Sequence, residues 1–274
     1  MSHPRTILDG LGAAARKSLS QNFLVSPHWA EKLALKALAV PADAVWEIGP
    51  GLAALTTPLL KNAQVPVTLF EYDRKLSEYL RGQFPQVELV EGDVLEADLE
   101  ARAAGKRLSV LSNLPYHLSS QILFRFAEFA TPPVQMVFTF QREFAQRVVA
   151  EPRTSAYGAL SVLMQLQFEV EKMGIIPPGA FYPAPEVDSE ALCFQPRGKA
   201  LGPAFRAMVR GAFQQRRKKL LGNLKKSSPG MDWEESLESL GVDPNARAEE
   251  LSPEQFFKLG EQRGLFIAEP NSRV

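Results

Sequence analysis

The 274-residue sequence predicts an α/β protein: a parallel sheet with crossover helices, followed by a small all-helical C-terminal domain. Three observations carry this. Short β-rich runs alternate with amphipathic stretches from residue 45 to residue 141, the pattern of crossover units. A glycine-containing loop stands between the first of those runs and the helix after it. Past residue 197 the strand-like runs stop and helical spacing takes over.

The elements follow in order. A helix is predicted over residues 27–38, with Ser26 as its cap. Strands are predicted over 45–48, 67–70, 87–90, 108–111 and 134–138, runs rich in residues that suit a half-buried or buried pleat. Between them, 55–60, 76–84 and 120–129 have helix-like apolar spacing. Two longer helical stretches come next, 142–151 and 157–168. A segment rich in proline and glycine, 174–185, leads to a strand at 189–194. Proline on both sides places that strand at a sheet edge, where a missing N–H does little harm. Helices are expected over 203–224, 232–240 and 253–262, separated by the Ser227-Ser228-Pro229-Gly230 turn and by Pro244. A boundary near residue 198 divides a domain of residues 1–197 from a helical domain of residues 198–274.

Composition narrows the function classes. Hydrophobic residues make up 45% and charged residues 23%, an ordinary globular balance. No apolar run approaches the roughly 20 residues needed to cross a bilayer, and the N-terminus lacks the apolar core of a secretory signal. A soluble, cytoplasmic protein is expected. One cysteine forms no internal disulfide, and three scattered histidines build no metal cluster, so no metal is expected.

With 31 basic and 31 acidic residues the formal net charge is zero, which at face value argues against a polyanionic partner. Mapped along the chain, the argument fails. Residues 191–231 carry ten basic and no acidic groups, a net of +10, offset by net −6 on each side and +2 at the N-terminus. A local potential binds anions whatever the global sum.

Glu47-Ile48-Gly49-Pro50-Gly51-Leu52-Ala53 follows the first predicted strand and precedes a helix. Glycine lets the backbone turn tightly and lets a ligand approach the main chain. Such a loop alone is as often a structural turn, but its context adds weight. Glu71, 22 residues beyond Gly49, ends the second strand, where a carboxylate can grip ribose hydroxyls. Gly92-Asp93 ends the third, where a side chain can read an adenine edge. The third glycine of a dinucleotide fingerprint is replaced by Ala54, and Glu47 suits a cation better than a phosphate. On these residues S-adenosylmethionine is preferred to NAD, and both stay open.

Asn113-Leu114-Pro115-Tyr116 follows the fourth predicted strand and so faces the same pocket. The exocyclic amine of adenine is a weak nucleophile because its lone pair is delocalised into the ring. An Asn oxygen and a backbone carbonyl that each accept an N–H from it turn the lone pair toward a methyl donor. Pro115 removes a competing N–H and leaves the Leu114 carbonyl as acceptor. Tyr116 offers a face for stacking, worth about 1–3 kcal/mol per base.

This tetrapeptide resembles the signature of adenine-N6 methyltransferases. Ser20-Gln21-Asn22-Phe23-Leu24, the glycine loop, Gly92-Asp93 and the segment from Phe181 to Ser189 resemble the KsgA-type (Dim1-like) small-subunit rRNA adenine N6-dimethyltransferases, as does the stretch from Phe213 to Leu224. The resemblance runs from about Arg16 to Leu259. It implies a Rossmann-like S-adenosylmethionine-dependent methyltransferase domain, with Asn22, Leu24, Gly49, Gly51, Glu71, Asp93 and Asn113 at the cofactor. It implies that Asn113, Leu114 and Tyr116 hold the target adenine, with Phe181 against its other face. The implied substrate is small-subunit rRNA in a pre-ribosomal particle, dimethylated at two adjacent adenosines in a hairpin loop near its 3′ end, by an enzyme expected to be monomeric. Four positions depart from the family pattern: Ser20 and Ala53 stand where glycine is usual, His117 where Asn is common and Glu186 where Lys is common.

The basic run carries the expected RNA contact through Arg216, Arg217, Lys218, Lys219, Lys225 and Lys226, with Arg16 and Lys17 extending it from the N-terminal arm. On a helix, residues 216, 219 and 223 share one face and 218, 222 and 225 another. Three readings compete with a small-subunit enzyme: an erythromycin-resistance-type enzyme acting on large-subunit rRNA, a non-catalytic rRNA-binding assembly factor, and an NAD-dependent oxidoreductase. The segment from Phe181 to Ser189 and Arg216-Arg217-Lys218 favour the small-subunit enzyme over the first, retention of Asn113, Tyr116, Glu71 and Asp93 argues against the second, and Asn-Leu-Pro-Tyr with a basic tail argues against the third.

Overall fold

The computed structural model describes residues 4–12 and 21–266. Ser20, Arg16 and Lys17 lie outside the described residues. The elements in chain order are α1 (Pro4–Gly10), β1 (Phe23–Leu24), α2 (Pro27–Ala37), β2 (Ala44–Ile48), α3 (Thr56–Asn62), β3 (Val67–Glu71), α4 (Arg74–Gln83), β4 (Glu88–Glu91), α5 (Leu99–Ala103), β5 (Leu108–Asn113), α6 (Ser119–Ala127), β6 (Gln135–Gln141) and α7 (Arg142–Val148). They continue with α8 (Ala159–Gln167), β7 (Phe168–Ile176), β8 (Phe181–Tyr182), β9 (Ser189–Pro196), α9 (Pro203–Ala212), α10 (Leu220–Ser227), α11 (Trp233–Ser239) and α12 (Pro253–Gln262). No helix among the described residues is long and apolar enough to cross a membrane.

Seven strands form one sheet in the order β4-β3-β2-β5-β6-β9-β7, and β1 pairs with β8 in a separate two-stranded sheet. The pairs β2–β3, β2–β5, β3–β4 and β5–β6 are parallel, and β6–β9 is antiparallel. β2 and β3 are buried at every position, as expected of parallel strands with both faces covered. The central cluster beneath them joins Val45, Leu69, Leu111 and Val137 to Leu33, Ala34 and Ala37 of α2. α2 is started by Ser26, whose hydroxyl accepts from Trp29 N at 3.4 Å. Ser109 Oγ and Gln135 Nε2 donate to the carbonyls of Ala37 and Lys36, which anchors the helix's last turn to β5 and β6.

The five predicted parallel-sheet strands are all present. The strand at 189–194 is also present, but β9 lies between β6 and β7 rather than at an edge. Pro185 precedes it and Pro196 is its last residue, and neither falls in the stretch from Ser189 to Phe194 that pairs with β6, so they interrupt no bond of that ladder. The edge belongs to β7, which the sequence reading passed over. Phe168 and Ile176 at its ends are buried, the residues between them are half-buried or exposed, and Gly174 within it has φ +134°.

The chain divides into two compact units, Met1–Ala145 with Glu171–Pro196, and Gln146–Val170 with Arg197–Val274. A single cut near residue 198 does not describe this division, because residues 146–170 are held by the second unit. Within that unit Tyr157 Oη donates to Leu251 O at 2.8 Å, and the Tyr157 ring packs edge-on against Phe213.

The helix expected over 203–224 is two helices with a turn between them. α9 ends at Ala212 and α10 begins at Leu220. Asn223, 5% exposed, causes the break: its Nδ2 donates to Ala212 O at 2.7 Å and to Gln215 O at 3.2 Å. The Ala212 carbonyl is thus satisfied by a side chain, and the Gln215 carbonyl is shared between that side chain and Lys218 N at 2.9 Å. Residues 216, 219 and 223 therefore share no helix face.

Candidate functional site

Parallel strands with right-handed crossovers bring their carboxyl ends to one edge of the sheet. The residues after β2, β3, β4 and β5 meet there around a cavity of about 270 Å³. Asn22, Leu24, Gly49, Gly51, Glu71, Asp93, Asn113, Leu114 and Tyr116 all line it. The structure thus assembles nine of the ten residues expected at the cofactor and the target base.

The glycine loop has left-handed backbone at Gly49 (φ +65°) and Gly51 (φ +56°). A Cβ on Gly51 would come within 3.1 Å of the Phe23 ring, while one on Gly49 would meet no atom within 4 Å. Gly49 therefore leaves room that a ligand can fill against bare backbone. Ala53 also adopts φ +66°, a conformation costing an L-residue about 1–2 kcal/mol, which explains why glycine is usual at this position in the family it resembles.

Glu71 organises the loop. Its Oε2 accepts from Gly51 N at 3.0 Å and its Oε1 from Asp73 N at 2.9 Å. Burial raises its carboxyl above the usual range, the backbone N–H groups of Asp73, Gly51 and Tyr72 oppose that rise, and the Asp73 charge adds to it. Each oxygen keeps a lone pair for a hydroxyl donor. Asp93 Oδ1 accepts from Leu95 N at 2.8 Å, which orients the side chain at the end of β4.

Glu47 is the least expected member electrostatically. It is 1% exposed on β2, lines the cavity, and neither carboxyl oxygen has a hydrogen-bond partner. Burial pushes its pKa from 4.5 up to about 8; Thr56 opposes the shift without closing a well-formed hydrogen bond, and Glu71 adds to it. A buried carboxyl without a partner is satisfied by a cationic ligand. The orphaned Glu47 oxygens, the open cradle at Gly49 and the Glu71 and Asp93 carboxylates together fit an adenosine cofactor that carries positive charge.

The Asn113-Leu114-Pro115-Tyr116 loop leaves β5 at the same edge. Asn113 Nδ2 donates to Asn22 O at 2.9 Å, and Asn113 Oδ1 accepts from Thr139 Oγ1 at 2.5 Å. Leu114 is buried at 2% exposure, and Tyr116 to Leu118 form a turn of 3₁₀ helix in which His117 is exposed. Burial raises the Tyr116 hydroxyl above the ordinary phenol range, and its bond to Ser189 opposes this. Sequence motifs do not single out Thr139 or Ser189: the first bond crosses the β5–β6 pair and the second joins the turn after β5 to β9, and no local pattern carries either placement.

Phe181 is the one site residue the structure does not bring to the cavity. β8 pairs with β1 so that Phe181 faces Leu24, and its ring, 4% exposed, is packed into the main core cluster. In this arrangement it offers no face to a base. Glu186, by contrast, is exposed.

The basic residues divide into two groups. Arg216 Nη2 donates to Tyr157 O at 2.9 Å and pairs with Glu249 at 3.3 Å; Lys219 donates to Asn245 Oδ1; Lys225 pairs with Glu234 at 3.1 Å. Arg217, Lys218 and Lys226 are exposed and form no ion pair among the described residues.

The chain is similar to known proteins over nearly all its length. It is 40% identical over 264 residues to the ribosomal RNA small subunit methyltransferase A of Geobacter metallireducens, covering 91% of this chain and 96% of that one. The fold matches a dimethyladenosine transferase from Plasmodium falciparum with a TM-score of 0.76 at 22% identity, covering 89% of this chain and 99% of that one. It matches the 23S rRNA methyltransferase ErmE with a TM-score of 0.67 at 28% identity, covering 88% and 99%. The family model described as "Ribosomal RNA adenine dimethylase" matches residues 12–262, and on that span, with those relatives, this chain belongs to the ribosomal RNA adenine dimethylase family.

Proposed function

We propose that this protein is an S-adenosylmethionine-dependent enzyme that dimethylates the N6 amines of adenosines in small-subunit rRNA. Its substrate on this reading is two adjacent adenosines in a hairpin loop near the 3′ end, within a pre-ribosomal particle, and the enzyme acts as a cytoplasmic monomer. The observation that carries the reading is the Asn113-Leu114-Pro115-Tyr116 loop on the wall of the cavity that also holds Glu47, Gly49, Glu71 and Asp93.

Asn22, Leu24, Gly49, Gly51, Glu71, Asp93 and Asn113 would hold the cofactor. When bound, S-adenosylmethionine supplies an electrophilic methyl and a neutral leaving group. The chain's own work is positioning. Asn113 Oδ1 and the Leu114 carbonyl accept the two N–H groups of the adenine amine and turn its lone pair toward the donor. Tyr116 stacks on the base, which must leave its own stack to reach the cavity. No strong base is needed, because the proton leaves to solvent once the N–C bond has formed. Orientation at near-attack distance supplies most of the acceleration. Arg217, Lys218 and Lys226 supply the free cations for the RNA backbone, and Arg216, Lys219 and Lys225 contribute after exchanging partners within their own unit.

A large-subunit substrate is the second reading, supported by the likeness to ErmE; identity of 40% against 28% favours the small subunit. Both are tested by incubating the purified chain with S-adenosylmethionine and undermethylated ribosomal subunits, then mapping N6,N6-dimethyladenosine by mass spectrometry. Label near the small-subunit 3′ end supports the first reading; label only in the large-subunit rRNA overturns it.

A further inference from the structure

We infer that Thr139 is a positioning residue for methyl transfer: its buried hydroxyl fixes the side-chain amide of Asn113 with the oxygen as acceptor. This rests on the proposed role of Asn113 and adds to it a residue outside the loop.

The geometry begins in the sheet. β5 and β6 are parallel, and Asn113 and Thr139 stand directly opposite each other in their register. Thr139 is 0% exposed and β-branched, so its χ1 is stiff and its hydroxyl direction is set by the strand. Oγ1 lies 2.5 Å from Asn113 Oδ1. The other end of the amide faces the carbonyl of Asn22 at 2.9 Å. A backbone carbonyl only accepts, so the group facing it is the NH₂, and the group facing Thr139 is the oxygen. The hydroxyl must then donate. The flipped amide would set oxygen against the Asn22 carbonyl and leave the NH₂ against Thr139.

The consequence bears on chemistry. Oδ1 has two lone pairs; Thr139 holds one, and the second is left for the N–H of an adenine amine. Without the hydroxyl, the Asn22 carbonyl is the one hydrogen-bond partner among the described residues that restrains rotation of the amide. Rotated states present the NH₂ to the substrate amine, a donor facing a donor. The fraction of enzyme poised for transfer falls, while the cavity walls that bind the cofactor keep their shape.

The test compares Thr139→Val, which removes the hydroxyl and nearly keeps the volume, with Thr139→Ser, which keeps the hydroxyl, and with Asn113→Ala. Each full-length variant is assayed for kcat and KM on undermethylated small subunits, S-adenosylmethionine Kd by calorimetry, thermal midpoint, and the Asn113 side-chain amide resonances in a ¹⁵N-correlation spectrum. Thr139→Val is expected to lower kcat about ten-fold, with KM and Kd unchanged and the Asn113 amide pair displaced. Thr139→Ser is expected to recover most of the rate. Unchanged kcat in Thr139→Val beside an inactive Asn113→Ala overturns the inference and leaves the reading of Asn113 intact. Parallel losses in kcat, Kd and thermal midpoint for both Thr139 variants overturn it too, because they mark a structural role only. If Asn113→Ala itself turns over normally, the proposed site is wrong and the role of Thr139 falls with it.

Discussion

Tyr116 Oη and Ser189 Oγ share a hydrogen bond of 2.7 Å that ties the loop after β5 to the first residue of β9. Ser189 is fully buried and sits opposite Gln141 of β6, so the bond is anchored in the antiparallel half of the sheet. It sets the tilt of the Tyr116 ring, the surface proposed for stacking the target base. Ser189→Ala and Tyr116→Phe are each expected to lower kcat/KM for rRNA by roughly three- to ten-fold, the value of one hydrogen bond. Tyr116→Ala should cost more, since it also removes about 1–3 kcal/mol of stacking. Steady-state methylation of isolated subunits measures all three, and S-adenosylmethionine affinity should stay constant across them. Equal rates for Tyr116→Phe and wild type would show that ring orientation does not limit transfer.

A second relationship joins the glycine loop to β3. Glu71 holds Gly51 N and Asp73 N, one with each oxygen. Glu71→Gln keeps one acceptor and loses the other, so one buried N–H is left without a partner at about 1–3 kcal/mol. The expected outcome is a lower thermal midpoint and at least ten-fold weaker S-adenosylmethionine binding by calorimetry. Gly51→Ala should do the same through backbone strain at φ +56° and the approach to Phe23, about 1–2 kcal/mol for the conformation alone.

The strand-end chemistry was legible because topology does the assembling. Once residues 45–141 are recognised as alternating strands and helices, Gly49, Glu71, Asp93 and Asn113 must gather at one edge, however far apart they are in sequence. β7 was not legible: Phe-Glu-Val-Glu-Lys-Met continues the preceding helical stretch without a breaker, and its partner strand comes later in the chain. The interruption after Ala212 was equally hidden. Residues 213–219 contain neither glycine nor proline, and the break is made by Asn223, whose side chain reaches back eleven residues to Ala212. Phe181 failed for a related reason. Its motif is readable, but the place of its ring in the core cluster follows from the β1–β8 pairing, which no local pattern carries.

Glu47 gives a pH-dependent prediction whose sign can be worked out. Its carboxyl pKa rises from 4.5 when exposed to about 8 when folded. The folded state therefore prefers the proton, and this contribution is fully present below about pH 4.5 and lost as pH rises toward 8. Glu47→Gln removes the ionisable group. Ligand-free Glu47→Gln should gain stability over wild type progressively across that window, by up to about 5 kcal/mol. Denaturant melts from pH 4 to pH 9 would read this directly. Calorimetry at pH 7 in buffers of different ionisation enthalpy should show wild type releasing a proton on binding S-adenosylmethionine, and Glu47→Gln releasing none. A pH-independent difference between the two proteins would mean the Glu47 carboxyl is not held protonated.

The net charge of zero conceals a segment of +10, and the structure sorts that segment by availability. Arg217, Lys218 and Lys226 are exposed without an ion pair among the described residues, whereas Arg216 and Lys225 already face Glu249 and Glu234. Neutralising the first three should flatten the salt dependence of rRNA binding by about 0.7 in log–log slope per charge, with no change in thermal midpoint. Arg216→Ala should behave differently. The phosphate contact proposed for it needs the Glu249 pair to be broken first, so its slope change should be smaller, and it also loses the bond to the Tyr157 carbonyl, lowering stability by about 1 kcal/mol. Binding titrations at several salt concentrations, paired with melts, separate the two groups. Identical slopes for Arg216→Ala and Arg217→Ala would mean that the exposed ion pair with Glu249 is too weak in solution to compete with RNA.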